Sequence, residues 1–456
     1  MNIKSKFEEY ILQKNNKIKI SSLDINKGDT FVALKGKNFH GNKFINSAIK
    51  NGAKYCLTDN KKFLKNPKVI WVDNIYKYLT KIALKKRSLY KGKVIAITGS
   101  AGKTTMKETL AFFLKKKYII SYSQKSYNNE LGVLVSLLNL NLKSKYAIFE
   151  LGTNNFGEIK YLTQIIKGNE IFITNIQSTH LENFKSKKNI AKEKSDIFLS
   201  KYNNLREKIY LNITNDSEKL ILDKANKEKK LKVIKLNNSS KKYFIKNVIS
   251  KKNYYKVEFS INKKIIKIKT KSHIRFRLDN LLFCYAFFSE NNLPTNIISK
   301  SQQFLRPITG RGLTHKLSIN KKRIQIIDES YNANPDTMVQ SIEYFNSIKI
   351  KSNKKILILG NMNELGKNAD NLHYKLLQKV DKNNFKIIIL CGKLLRTSIK
   401  KLTKHNNEFI YIDNRKKIMK FLYDFLHNDD MIMIKCSNST EVNKLALDLL
   451  KKGNMF

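Results

Sequence analysis

The segment Thr98-Gly99-Ser100-Ala101-Gly102-Lys103-Thr104-Thr105 most constrains what this chain can fold into. It follows an all-apolar run, Val94-Ile95-Ala96-Ile97, of the kind buried on both faces of a parallel sheet. A helix-like segment to about Leu114 comes next. Strand, Gly-rich turn and helix in that order set backbone N–H groups and a helix N-terminus around a phosphate. Lys103 would neutralise β- and γ-phosphates, and the Thr104 hydroxyl would ligate Mg²⁺. The usual form of such a loop needs Gly at position 97, so this one is short. A plain strand–helix turn would not explain a Lys directly after the last Gly.

The same alternation continues on both sides. Apolar runs at Tyr146–Leu151 and Glu170–Thr174 each end in polar residues, which argues for a doubly wound α/β unit. The first 90 residues form a separate small unit around a strand at Thr30–Leu34. Residues 238–272 are Lys-rich with alternating Tyr, Val, Phe and Ile, as in an antiparallel, half-solvated sheet or hairpin. Arg306-Pro307 and the glycines flanking Arg311 mark a boundary. Beyond it, strands at Ile324–Asp328, Ile356–Leu359, Ile387–Leu390 and Met431–Ile434 define a second, smaller α/β unit. A length of 456 residues accommodates about three domains. The predicted organisation is residues 1–91, 92–309 and 310–456.

Net charge is +53, from 89 Lys and Arg against 36 Asp and Glu. Such a charge raises the question of a polyanionic partner. Only nine of those bases are Arg, the residue suited to bidentate phosphate and base-edge recognition. Lys, Asn, Ile, Phe and Tyr are abundant while Pro is 4 and Trp 1, which follows A/T-rich codon usage. The charge therefore reads as composition spread over the surface, and no nucleic-acid partner is expected. Cys56, Cys284, Cys391 and Cys436 form no CxxC pair and read as isolated, mostly buried thiols in a reducing compartment. Apolar runs such as Leu131–Leu138 fall far short of the ~18 residues a spanning helix needs. Met1 to Ser22 holds no signal-like stretch, so a cytoplasmic chain with no membrane insertion is expected.

Several polar residues stand at strand ends, where ligands of open α/β sheets collect. Glu150 closes one strand, and His180 follows the next by a short loop. Beside a phosphate loop, carboxylate and imidazole suit Mg²⁺. Asn128 and Asn129 precede a helix and either orient a substrate oxygen or cap that helix. Asp328-Glu329-Ser330-Tyr331-Asn332-Ala333-Asn334-Pro335 follows a strand, and either holds a ribose and base or is an ordinary loop before a helix starting at Pro335.

Together these motifs resemble the Mur ligase family over nearly the whole chain. GSAGKTT is similar to its GxxGKT[ST] loop, and Ser126 to Val133 to its NN-x-x-GV element. Phe149 to Ile159 resembles E-[LIM]-G-x-N-x-x-GEI, and Ile173 to Glu182 the ITN…HLE block. Ala191 to Phe198 resembles AK-x-E-I, Asp328 to Met338 resembles DDSYNANPDSM, and Gly360 to Gly366 with His373 resembles GDMLELG…H. The DDSYNANPDSM element separates one branch from its siblings and from the folylpolyglutamate synthases. The resemblance implies a three-domain α/β fold: a small N-terminal domain binding the UDP-sugar, a central P-loop-type ATPase domain and a C-terminal Rossmann-like domain.

For that branch it implies an ATP-dependent amide ligase of peptidoglycan precursor synthesis, joining D-alanyl-D-alanine to UDP-N-acetylmuramoyl-tripeptide through an acyl phosphate. A sibling ligase with another amino-acid acceptor is the alternative, and a basic nucleic-acid-binding ATPase a distant one. Implied ATP contacts are Gly99, Ser100, Ala101, Gly102, Lys103, Thr104, Thr105, Asn280, Arg311, Asp328, Tyr331 and Asn332. Implied metal ligands, for two Mg²⁺ sites, are Thr104, Glu150, His180 and Lys194, the last as a CO₂-derived carbamate. Lys103, His180 and carbamylated Lys194 would be catalytic, and Ser22, Gly41, Asn128 and Asn129 would meet substrate. A monomer is expected. The chain departs from the family where D-S-R is Ser21-Ser22-Leu23, where K-G-S-R is Lys435-Cys436-Ser437-Asn438, where GDM has Asn361, and where an Asn frequent in the family is Arg277.

Overall fold

The computed structural model describes residues 3–13, 17–36, 40–63, 65–251, 254–270 and 275–455. Residues 271–272, at the end of the expected Lys-rich sheet, lie outside the described residues.

The first unit is a four-stranded parallel sheet in the order β1 (Ile18–Lys19), β2 (Thr30–Val32), β3 (Tyr55–Thr58) and β4 (Val69–Trp71). The helix Ile75–Leu89 leads out of it. Its Leu79, Ile82 and Ala83 share a core with Val133 and Leu137 of the next unit. Lys86 and Arg87 reinforce that seam. Lys86 Nζ donates to the Ile11 and Leu138 carbonyls at 2.9 and 2.5 Å, and Arg87 to the Ile166 and Lys167 carbonyls at 2.6 and 2.8 Å. Burial lowers the Lys86 amine to about 8, because a charge there has lost its water.

The central sheet comprises β5 (Lys93–Thr98), β6 (Ile120–Tyr122), β7 (Tyr146–Glu150), β8 (Glu170–Ile173), β9 (Lys208–Asn212) and β10 (Lys232–Leu236). Its order is β10-β9-β8-β5-β7-β6, all parallel. β5 is central and its residues from Val94 onward are buried, which is why it reads as an unbroken apolar run. The order reverses at β5, so the loops after β5, β7 and β8 converge at one edge. The Lys-rich segment is an antiparallel sheet, β11 (Tyr243–Ser250), β12 (Tyr255–Ile261) and β13 (Lys264–Thr270). Its inward residues Val257, Phe259 and Ile268 pack on the helix Arg275–Glu290, whose Leu282, Phe283 and Phe287 are also buried.

The last sheet contains β14 (Leu313–Ile319), β15 (Lys322–Glu329), β16 (Lys355–Gly360), β17 (Ile387–Cys391), β18 (Phe409–Tyr411), β19 (Asp430–Lys435) and β20 (Asn454–Met455). The order is β18-β17-β16-β19-β15-β14-β20. β14 runs antiparallel to both its neighbours, and the other pairings are parallel. Apolar residues on its two faces form two separate cores. The expected strands of all three units are present. The four cysteines are free and buried. Among the described residues no helix is long and apolar enough to cross a membrane.

Candidate active site

The loop after β5 turns with Gly99 at φ +145° and Gly102 at φ +79°, and Gly102 caps the helix Lys103–Leu114. A Cβ on Gly99 would sit 1.9 Å from Thr174 Oγ1, so no larger residue fits. The end of β8 supports the loop. Asn175 accepts from the Ala101 N–H at 2.9 Å, and Ser100 Oγ accepts from the Gln177 N–H at 2.9 Å. Lys103 folds back so that its Nζ donates to the Gly99 carbonyl at 2.9 Å. Burial and Arg311 push its amine below the ordinary lysine range, while Glu150 opposes them.

Glu150, at the end of β7, is 1% exposed and organises the centre of the site. Its Oε2 accepts from the Thr104 hydroxyl at 2.8 Å, and its Oε1 from the Asn128 amide at 2.7 Å. Lys107, fully buried one turn along the helix, lies 3.7 Å from Oε2. It also donates to the Lys125 carbonyl. A carboxylate and a hydroxyl side by side are hard oxygen donors, a set that fits Mg²⁺ keeping several waters and phosphate oxygens. Among the described residues no three His, Cys, Asp or Glu side chains cluster as a ready metal cage.

These groups line a cavity of about 660 Å³ that both the central and the C-terminal units wall. Of the residues singled out in the sequence, Ser100 to Thr105, Asn128, Glu150, His180, Asn280, Arg311, Tyr331 and Asn332 all face it. Arg311 stacks on Tyr331, with 4.0 Å from its guanidinium carbon to the ring centroid. It also reaches Ser126 Oγ at 3.4 Å. The Asn280 amide nitrogen is buried with no hydrogen-bond partner among the described residues.

Other singled-out residues lie elsewhere. Gly99 supports the loop from behind. Asn129 caps the helix Glu130–Leu138, its Oδ1 accepting from the Gly132 N–H at 2.9 Å. Asn129 thus takes the capping role, while Asn128 holds the Glu150 carboxylate. Asp328 is buried below the loop, where Oδ2 accepts from the Gly310 N–H at 3.0 Å and Oδ1 from the Ser330 hydroxyl at 2.6 Å. Lys194 is 1% exposed and is not part of the cavity wall. Burial, reinforced by the charge of Lys103 and opposed by Glu193, pushes its amine well below the lysine range. Ser22 and Gly41 belong to the first unit. The Ser22 carbonyl accepts from Asn51, and a Cβ on Gly41 would meet Ala33 Cα at 2.9 Å. A second cavity, of about 760 Å³, opens nearby between the first and central units and is lined by Ser21, Leu23, Asp24, Lys125 and Tyr127.

His180 faces the cavity but its ring is engaged. Nδ1 lies 2.5 Å from Glu364 Oε2, across the junction with the C-terminal unit, and this contact holds the Glu364 carboxyl low. Further polar contacts close the same junction. Asp336 accepts from the Ser178 N–H at 2.9 Å and pairs with Lys187 at 3.2 Å, and Asn334 reaches Gln177 at 3.3 Å. Asp336 and Lys435, known from the sequence only as members of motifs, also line the cavity, as do Gln177 and Lys187, which were not singled out. A Lys among 80 or an isolated Gln carries no spacing signal. The expected helix after Pro335 forms, with Asn334 and Thr337 as a reciprocal capping box. His373 supports the Gly360–Gly366 segment from beneath, its Nε2 accepting from the Met362 N–H at 2.9 Å.

A shared cavity with a phosphate loop on one wall and a Rossmann-like sheet edge on the other defines a two-domain nucleotide-using enzyme. The model described as Mur ligase family, catalytic domain matches residues 15–97. Those described as Mur ligase middle domain and as Mur ligase, glutamate ligase domain match residues 97–288 and 316–438. With relatives at 30% identity or more along nearly its whole length, the chain belongs to the Mur ligase family, whose members are ATP-dependent ligases. The UDP-N-acetylmuramoyl-tripeptide--D-alanyl-D-alanine ligase of Rickettsia prowazekii is 30% identical over 94% of each chain. The enzyme of the same name from Buchnera aphidicola subsp. Baizongia pistaciae is 32% identical, covering 92% of this chain and 89% of its own. A crystal structure of MurF from Acinetobacter baumannii superposes with TM-score 0.80 at 22% identity, covering 96% of this chain and 93% of that one. MurF ligase from Thermotoga maritima, solved with ADP, gives 0.79 at 22% identity, covering 97% and 98%.

Proposed function

We propose that this chain joins D-alanyl-D-alanine to UDP-N-acetylmuramoyl-tripeptide, with ATP cleaved to ADP and phosphate. One observation carries the reading: Lys103, Thr104 and Glu150 of the central domain face Arg311, Tyr331 and Asn332 of the C-terminal domain across one cavity. Such an arrangement brings a nucleotide and a second substrate together where neither domain suffices alone. The names shared by the full-length relatives support the choice of substrates.

In this reading the tripeptide carboxylate attacks the γ-phosphorus of ATP, giving an acyl phosphate and ADP. The amine of D-alanyl-D-alanine then attacks the acyl carbon, and phosphate leaves as the amide forms. Lys103, whose Nζ now rests on the loop carbonyls, turns to the transferred phosphoryl group and neutralises its charge. The backbone N–H groups of residues 100–105 hold the other phosphates. Thr104 and Glu150 would hold Mg²⁺, which would supply positive charge to the phosphate oxygens. Asn128 orients the Glu150 carboxylate. Asn280 offers its unpartnered amide to the nucleotide base, and Arg311 stacked on Tyr331 forms a flat, cationic wall beside it.

Lys194 is proposed as the carbamylated lysine. Its burial beside Lys103 favours the neutral amine, the form that adds CO₂, and a carbamate there would place an anion near Lys103. His180 would serve a second Mg²⁺ with it. The UDP-sugar is assigned to the first domain and the cavity beside it. A cytoplasmic monomer acting on small molecules alone completes the proposal.

The test is phosphate release with ATP, Mg²⁺, bicarbonate, D-alanyl-D-alanine and each tripeptide form, diaminopimelate- or lysine-containing, followed by product mass. Phosphate release that requires both organic substrates, with product mass increased by one dipeptide less water, is expected. Turnover only with another amino-acid acceptor overturns the assignment.

A further inference from the structure

The central and C-terminal domains are joined through Gly310-Arg311-Gly312, and a side chain from the central domain grips that link. Arg277, on the first turn of the helix Arg275–Glu290, donates from Nη2 to the Gly312 carbonyl at 3.0 Å and approaches the Arg311 carbonyl at 3.4 Å. Gly312 has φ +83°, and a Cβ there would sit 2.4 Å from Arg277 Nη2 and 2.7 Å from Glu329 Oε1. The guanidinium and the Glu329 carboxylate therefore close on the same point of backbone from the two domains. The other Glu329 oxygen lies 3.5 Å from Lys435 Nζ, a cavity residue. Both side chains approach where Gly312 leaves room.

We propose that Arg277 is a positioning residue that clamps the interdomain link and so holds the stacked Arg311 and Tyr331 against the central domain at the nucleotide side of the cavity. The link is already tied to the C-terminal domain, where the Gly312 N–H donates to the Asp328 carbonyl at 2.7 Å and the Tyr331 N–H to the Gly310 carbonyl at 3.0 Å, so the grip of Arg277 on it joins that domain to the central one. Two charge-assisted donations to consecutive carbonyls stop it from swinging. Removing them leaves the junction to the His180–Glu364 and Asp336 contacts, which shifts the population toward open arrangements, and the fraction of molecules competent to bind nucleotide falls in proportion. The consequence for ATP rests on the ligase reading, whereas the clamp itself does not.

The experiment compares wild type, Arg277→Asn and Arg277→Lys in two measurements. Small-angle X-ray scattering of the ligand-free proteins reads the domain arrangement. Phosphate release reads KM for ATP and kcat. Arg277→Asn is expected to enlarge the radius of gyration and raise KM for ATP about tenfold, the weight of one charge-assisted hydrogen bond, with kcat changed about twofold at most. Arg277→Lys, retaining one donor, is expected to fall between. If Arg277→Asn does not fold, the Lys variant alone is read against wild type. A scattering profile identical to wild type overturns the clamp, whatever happens to the melting temperature. An enlarged profile with unchanged KM overturns the role toward Arg311. Absence of tripeptide-dependent turnover in wild type sinks the ligase reading, and the scattering still decides the clamp.

Discussion

Glu150→Gln removes the charge at the centre of the site while preserving its shape. In the native site Oε2 accepts from Thr104 at 2.8 Å and faces Lys107 at 3.7 Å, and Oε1 accepts from Asn128 at 2.7 Å. A Gln with its oxygen toward Thr104 and Lys107 keeps both contacts. Asn128 re-pairs by turning its amide over, so that its oxygen accepts from the new NH₂. Lys107 still has Glu108 at 3.3 Å and the Lys125 carbonyl, so its buried charge is not stranded. Stability should therefore fall by about 1–2 kcal/mol, below the ~3–5 kcal/mol of a fully broken buried pair. Activity should respond far more, because the anion that would hold Mg²⁺ against the phosphates is gone. Losing one such charge-stabilising group lowers kcat by roughly 100-fold or more. The assay is phosphate release across a Mg²⁺ titration, with a thermal melt of the same samples. A variant whose kcat and Mg²⁺ requirement stay within about twofold of wild type refutes the metal role. A melting point lowered by more than ~10 °C refutes the re-pairing argument.

Gly99→Ala should abolish nucleotide binding and destabilise the chain, because the added methyl would lie 1.9 Å from Thr174 Oγ1; ADP binding by calorimetry checks this, and wild-type affinity would contradict it. Lys194→Ala should lose turnover while ADP binding is largely kept, since Lys194 lies behind the cavity wall and not in it; full activity would show that no carbamate is needed. Lys86→Met should flatten one component of the pH–stability curve. Folding lowers this amine from 10.5 to about 8, so the folded state binds fewer protons between those values, and stability rises with pH across that window. The contribution is lost as pH falls through 8, on the order of 3 kcal/mol. Denaturant midpoints of wild type and variant at pH 7 and pH 10.5 measure it, and parallel curves would count against a buried, desolvated amine.

Much of the central domain was legible because its signals are local. A parallel strand buried on both faces has to be apolar, as Val94 to Ile97 are, and a phosphate loop has to carry glycines at fixed spacing. The antiparallel sheet at β11–β13 was legible for the complementary reason, that one half-solvated face imposes alternation. Pro335 likewise announces a helix start by its fixed backbone angle. Residues whose meaning depends on distant partners were not legible. Lys107 is one Lys among 80 until β7 brings Glu150 beside it. Lys86 looks like a solvated residue of a charged helix, yet it spans the seam between two domains. Asn128 and Asn129 are neighbours of identical type, and only the direction of each side chain separates a carboxylate partner from a helix cap.

By itself, then, the sequence determined the three α/β units, the phosphate loop and the family, because turn geometry and burial periodicity act within a few residues. The tertiary structure alone decided which groups share the cavity. His180 meets Glu364, Asp336 meets Ser178 and Lys187, and Arg277 grips Gly312, all across the junction of the central and C-terminal units. Such contacts depend on how domains dock, and docking is set by long-range packing and charge across a junction that no local window of residues contains.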